Sequence, residues 1–139
     1  MRCMVLVKAS KDSEAGVMPS EKLLAAMGKY NEELVKAGVM LEGEGLHPTS
    51  KGARVKFSGQ TRTVVRGPFA GPKDLVAGFW MFKVKSLDEA IEWVTRCPNP
   101  MEGESEIRPV FEAEDFRAEY TSELKEPEAR MRAEMDKRR

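Results

Sequence analysis

The stretch GFWMFKV, residues 78–84, places Trp80, Phe82 and Val84 at alternate positions and fills the gaps between them with Phe79 and Met81. Successive side chains of an extended chain point to opposite faces, so the two sets face opposite ways. A strand with one wet face would be polar at every second position, whereas this one is apolar on both sides. The run CMVLV, residues 3–7, has the same character. Both segments are expected to be central strands of a sheet.

The order of the flanking segments then restricts the topology. Ser20 can cap a helix in which Leu23, Met27, Tyr30 and Leu34 recur at the spacing of one helical face, and Gly38 closes it. Gly28 inside that helix costs about 1 kcal/mol relative to alanine, which the apolar stripe offsets. VMLEGEGLHP, residues 39–48, reads as a second strand that loosens at Gly43 and Gly45. ARVKF and TRTVV alternate polar with apolar around SGQ, the pattern of a peripheral hairpin. Ser86 and Glu89 form a capping box ahead of a helix with Leu87, Ala90, Ile91 and Val94 on one face, ending before Pro98. SEIRPVF, residues 105–111, supplies the last strand.

Without the hairpin, strand, helix, strand, strand, helix, strand is the split βαβ arrangement of an α+β, ferredoxin-like domain with both helices on one sheet face. Helices on one side cannot cover strands that are apolar on two. The expectation is therefore a homodimer in which two sheets pack face to face around a barrel-like interior, the rival being an extra covering element from the same chain. The domain is expected to occupy residues 1–111.

Residues 112–139 differ in composition, with nine acidic and seven basic side chains. Phe116, Tyr120 and Leu124, then Met131 and Met135, form a thin stripe, so a charged C-terminal helix broken or restarted at Pro127 is expected, lying on its own domain or docking another protein. Over the whole chain 23 basic and 23 acidic groups cancel, leaving no general field for nucleic acid. The terminal KRR alone gives salt-sensitive attraction without base readout. Cys3 and Cys97 are too few for a disulfide framework and read as small packing groups. With no signal-like or membrane-spanning run, a soluble, cytoplasmic protein is expected.

His47 is the single histidine and lies where the chain leaves a strand, so it is the candidate acid/base. Glu42 and Glu44 share a strand face near it, but one histidine and two separated cysteines do not make a metal set. Arg66, Lys73 and Arg108 lie near strand ends or in the loop beyond. The rigid turn Gly67-Pro68-Phe69 can fix Arg66 either to grip a carboxylate or phosphate or to pair with Glu44 or Glu106. The glycine spacings fit no nucleotide fingerprint, and no cofactor is implied.

GEGLHP (43–48), RGPFAGPKD (66–74), GFWMFKV, SLDEAIEWVTRCP (86–98) and EIRPV (106–110), taken in order and spacing, resemble the YCII-related family in its branch named for an Asp-Gly-Pro-Phe motif. The resemblance implies a ferredoxin-like subunit and a dimeric α/β barrel. Some YCII-like members resemble small dehalogenases or lyases of ring compounds and lactones that use a His/Asp pair in a barrel cleft. Members of this branch resemble proteins encoded beside extracytoplasmic-function sigma factors, which implies a regulatory, protein-binding alternative. Here Arg66 stands where the motif begins with Asp, and Gly71 where a carboxylate is common. That reversal of charge turns the expectation toward a small anionic organic molecule held near Arg66, Lys73, Arg108 and Glu44, with Trp80 as an apolar wall and His47 as the acid/base.

Overall fold

The computed structural model describes residues 1–98, 103–119 and 121–139. By contacts the chain divides into two units, Met1–Pro109 and Val110–Arg139. The first unit contains β1 (Arg2–Lys8), α1 (Lys11–Glu14), α2 (Glu21–Lys36), β2 (Met40–Gly45), β3 (Ala53–Ser58), β4 (Thr61–Arg66), β5 (Val76–Lys83), α3 (Leu87–Thr95) and β6 (Ser105–Pro109). The antiparallel sheet has the order β2-β5-β1-β6, and β3 and β4 form a separate two-stranded ribbon. This is the ferredoxin-like α+β arrangement, with the apolar segments β1 and β5 in the centre as their two-sided patterns require.

Register defines the helix-covered face in three rows. Met40, Phe82, Cys3 and Pro109 form one, Gly43, Trp80, Val5 and Ile107 the next, and Gly45, Gly78, Val7 and Ser105 the last. Cys3, Val5, Trp80 and Phe82 are buried there with Tyr30 and Leu34 of α2, Ala90 of α3, and Val39 and Val84 from the strand ends. Each large side chain so buried contributes about 1.5–3 kcal/mol. The third row is nearly empty of side chains.

Local signals fix the helices. Ser20 accepts from the Leu23 amide at the start of α2, and Gly38 follows its end at φ +72°. At α3 the Glu89 amide donates to Ser86, but the Glu89 carboxylate accepts from the Lys85 amide, one residue beyond the expected box. The buried face of α3 is also rotated from the expected one. Leu87 and Ile91 are exposed, while Trp93, Val94 and Cys97 pack beside Ala90. The cause is the Tyr30 hydroxyl, which donates to the Trp93 carbonyl at 2.7 Å and ties that side of the helix to α2.

Among the described residues, the helices of the first unit pack on this covered face, away from the opposite sheet face. Met4 opposes Met81 and Leu6 opposes Phe79 at its middle, with Glu42 and Glu44 along β2 and Glu106 and Arg108 along β6. The ribbon is exposed along nearly its whole length, and Val55, Phe57 and Val64 are among the open apolar residues. Its turn uses Gly59 at φ +57°, which a side chain would disfavour.

In the second unit a 3₁₀ turn at Ala113–Glu119 precedes α4 (Ser122–Lys137). Pro127 lies inside α4 rather than breaking it. The interruption falls earlier, between the two elements; one missing donor near the start of a helix leaves the later turns intact. Phe116 stacks with Phe111 instead of continuing the α4 stripe, and Tyr120 lies outside the described residues. No helix among the described residues is long and apolar enough to cross a membrane.

Candidate functional site

The empty row of the sheet produces a cavity of about 650 Å³ between the sheet and the helices. Gly45, Gly78 and Val7 form its base beside Trp80, Leu23, Leu24 and Met27 of α2 form one side, and Val94, Cys97 and Pro98 another. Ser10, Ser13 and Pro19, on the segment carrying α1, line it too. Volumes of roughly 300–1,000 Å³ with mainly apolar walls and a few polar groups suit small organic molecules.

The three strand glycines serve different ends. A Cβ on Gly78 would come within 2.9 Å of the Glu44 carbonyl, and one on Gly43 within 2.7 Å of both Met40 and Trp80. Those two allow close packing. A Cβ on Gly45 would meet nothing within 4 Å, so this glycine leaves room rather than fitting a neighbour. Glycine within a strand is a signal of such approaches or openings.

Trp80 is held from two sides. Its indole N–H donates to Asn31 Oδ1 at 3.1 Å, and its ring meets Tyr30 edge to face with centroids 5.8 Å apart. Burial pushes the Tyr30 hydroxyl up from its ordinary value, so it stays a neutral donor to Trp93. Burial likewise pushes up the Cys97 thiol, which sits 4.0 Å from the Met27 sulfur and is a poor nucleophile at neutral pH. The lining also includes Lys8, which lies 3.5 Å from Glu106, and Glu44 and Glu104, so the cavity can enclose an apolar body and offer hydrogen bonds and charged contacts.

Of the residues singled out in the sequence, Trp80 and Glu44 are among the cavity's lining, although Glu44 stands in the register row of the opposite sheet face; His47, Arg66, Lys73 and Arg108 are not among the described lining residues. His47 is exposed in the loop after β2. Arg66 ends β4 opposite Ala53, and Lys73 lies in a 3₁₀ turn at Pro72–Asp74. Arg108 is on the opposite sheet face, 3.9 Å from Glu106, which also approaches Lys8 at 3.5 Å. No cluster of three or more His, Cys, Asp or Glu able to hold a metal ion occurs among the described residues.

The turn after Arg66 has a different set of contacts from those its sequence suggested. Thr49 donates its amide to Glu14 Oε1 at 3.0 Å and its hydroxyl to Glu14 Oε2 at 2.5 Å, and the hydroxyl accepts from the Phe69 amide at 3.0 Å. Gly67 lies so close to Thr49 that a Cβ would fall 1.7 Å from its carbonyl oxygen. Arg54 caps the Phe69 ring at 3.9 Å. The Ser10 and Ser13 side chains close a reciprocal capping box on α1, with Ser13 in the place of the usual Glu or Gln.

Comparison with known proteins places these features in context. A model of the YCII-related domain matches residues 1–114. An uncharacterized protein of Rhizobium meliloti (strain 1021) is 30% identical over 92 residues, which is 65% of this chain and 74% of the relative. Among solved structures, 5-chloro-2-hydroxyhydroquinone dehydrochlorinase from Burkholderia phenoliruptrix AC1100, in complex with 2,5-dihydroxybenzoquinone, aligns over 83% of this chain and 98% of its own at 15% identity and a TM-score of 0.45. That likeness is too loose to bear on ligand or reaction.

Proposed function

The chain belongs to the YCII-related family, and from that premise we propose that its first unit binds a small, largely apolar organic molecule in the cavity over Gly45 and Gly78. The single observation that supports this is the open space above Gly45, with Trp80 fixed beside it. A ligand ring would stack on or lie beside the indole, and Ser105 and Asn31 offer polar contacts at the edge.

The reading departs from the anion expected near Arg66, Lys73 and Arg108, because those cations are not among the lining residues. It also assigns no proton transfer to His47. A second copy of the chain is proposed on the opposite sheet face, where Met4, Leu6, Phe79 and Met81 form an apolar centre flanked by charged residues of β2 and β6. The regulatory alternative draws on the resemblance alone and gains no support from the described residues.

The test uses two fluorescent probes with one body. 1-Anilinonaphthalene is neutral, and its 8-sulfonate is the same molecule with an anion. The neutral probe is expected to bind, and Gly45→Leu, which fills the open space without a backbone clash, should weaken it at least about tenfold, the effect of losing roughly 1.4 kcal/mol. Equal binding to Gly45→Leu would reject the cavity as the site. Preference for the sulfonate that Arg66→Ala or Arg108→Ala abolishes would instead restore the anion reading.

A further inference from the structure

We propose that Glu14 and Thr49 form a latch that holds the cavity's outer wall in place, and that the RGPF turn completes it; the proposal rests on the cavity being the binding site. The wall is the segment bearing α1, which contributes Ser10, Ser13 and Pro19 to the lining. It makes few covering contacts of its own: none of the α1 residues is buried. Its two serines cap each other through Ser13 N–H to Ser10 Oγ at 3.1 Å and Ser10 N–H to Ser13 Oγ at 2.8 Å, so the segment is internally braced, and Ala9 N–H donates to the Leu75 carbonyl just before it.

What ties that segment down is the carboxylate at its end. Both Glu14 oxygens are taken by Thr49, one by the amide and one by the hydroxyl. A hydroxyl that donates to a carboxylate is a better acceptor, and here it accepts from Phe69 N–H, so three separate segments meet on one oxygen. Gly67 permits the meeting. Its Cα lies against the Thr49 carbonyl, where any side chain would collide with backbone. Arg54, from the ribbon, then covers Phe69. The turn is thus a positioning device: it fixes Thr49, Thr49 fixes Glu14, and Glu14 fixes the wall.

Cys97 reports on the wall without any ligand, because it lines the same cavity and is only partly buried. In the full chain, alkylation of Cys97 by iodoacetamide, followed by peptide mass spectrometry, should accelerate at least about fivefold in Thr49→Val and in Glu14→Ala, each of which removes two of the latch's three hydrogen bonds from a local opening equilibrium. The double variant should be no faster than Glu14→Ala, which alone removes both bonds that Thr49 makes to Glu14. Thr49→Ser keeps the hydroxyl and should stay near the original rate, while Cys3, fully buried in the core, serves as the internal control for general unfolding. Unchanged Cys97 rates in both single variants, or Thr49→Ser behaving as Thr49→Val does, would overturn the latch. If Thr49→Val exposes Cys3 as well, Glu14→Ala alone decides: faster labelling of Cys97 without Cys3 supports the latch, and equal labelling rejects it. Protection of Cys97 by 1-anilinonaphthalene tests the cavity separately, and its absence would leave the latch standing while removing the ligand site.

Discussion

At the residue scale, glycine positions with the same sequence character have different physical roles, and substitution separates them. Gly43→Ala pushes a methyl against Trp80 and Met40, and overpacking of this kind costs about 1–3 kcal/mol. Gly45→Ala meets nothing and should change the urea midpoint little. Gly67→Ala meets a backbone carbonyl that cannot give way, so it should be the most destabilising of the three. A second residue-scale expectation concerns Tyr30. Its ordinary value is 10.0 and burial raises it in the folded chain, so the unfolded tyrosine ionises first. Its contribution to stability is complete below pH 10 and is lost as pH rises beyond that point. Urea midpoints measured from pH 7 upward should show that fall, and Tyr30→Phe should lose about 1 kcal/mol at neutral pH with a shallower alkaline decline. An equally steep decline in the variant would assign the effect to other groups.

At the scale of elements, legibility followed the range of the forces involved. β1 and β5 could be read because apolar side chains on both faces leave few alternatives, and α2 because Ser20, its stripe and Gly38 agree. The buried side of α3 could not be read as well, since Ile91 and Val94 are equally apolar and a hydrogen bond 63 residues distant in sequence, from Tyr30, sets the rotation. The cavity was legible only as a loosening at Gly43 and Gly45; that Gly45 meets Gly78 across the ladder depends on register. The Glu14–Thr49–Phe69 contact was not legible, because its three members come from separate segments without local pattern. The ribbon of β3 and β4 was legible as peripheral, and isolation has a measurable consequence. A two-stranded ribbon with little burial is marginal in water. Amide exchange in β3 and β4 is expected to be orders of magnitude faster than in β1 and β5, and comparable protection across all four would show that something covers the ribbon in solution.

At the scale of the whole molecule, the helices of the first unit cover one sheet face, and different tasks are proposed for the two faces. The other face, with Leu6 and Phe79 paired at its middle, is proposed to meet a second copy. Leu6→Glu buries a carboxylate at that contact and should yield a monomer in sedimentation equilibrium, while a monomeric original chain would remove the dimer from consideration. The covered face is assigned to a ligand, and here Trp80 is the natural reporter because its indole N–H is bonded to Asn31 beside the cavity. The most direct measurement is the two-dimensional ¹H–¹⁵N spectrum of the labelled chain titrated with neutral 1-anilinonaphthalene. The Trp80 indole signal and the amides of Gly45, Gly78 and Met27 should shift together and saturate at a single affinity. Saturable shifts confined to Arg66, Lys73 and Arg108, with the Trp80 indole unmoved, would contradict the assignment of the cavity as the binding site.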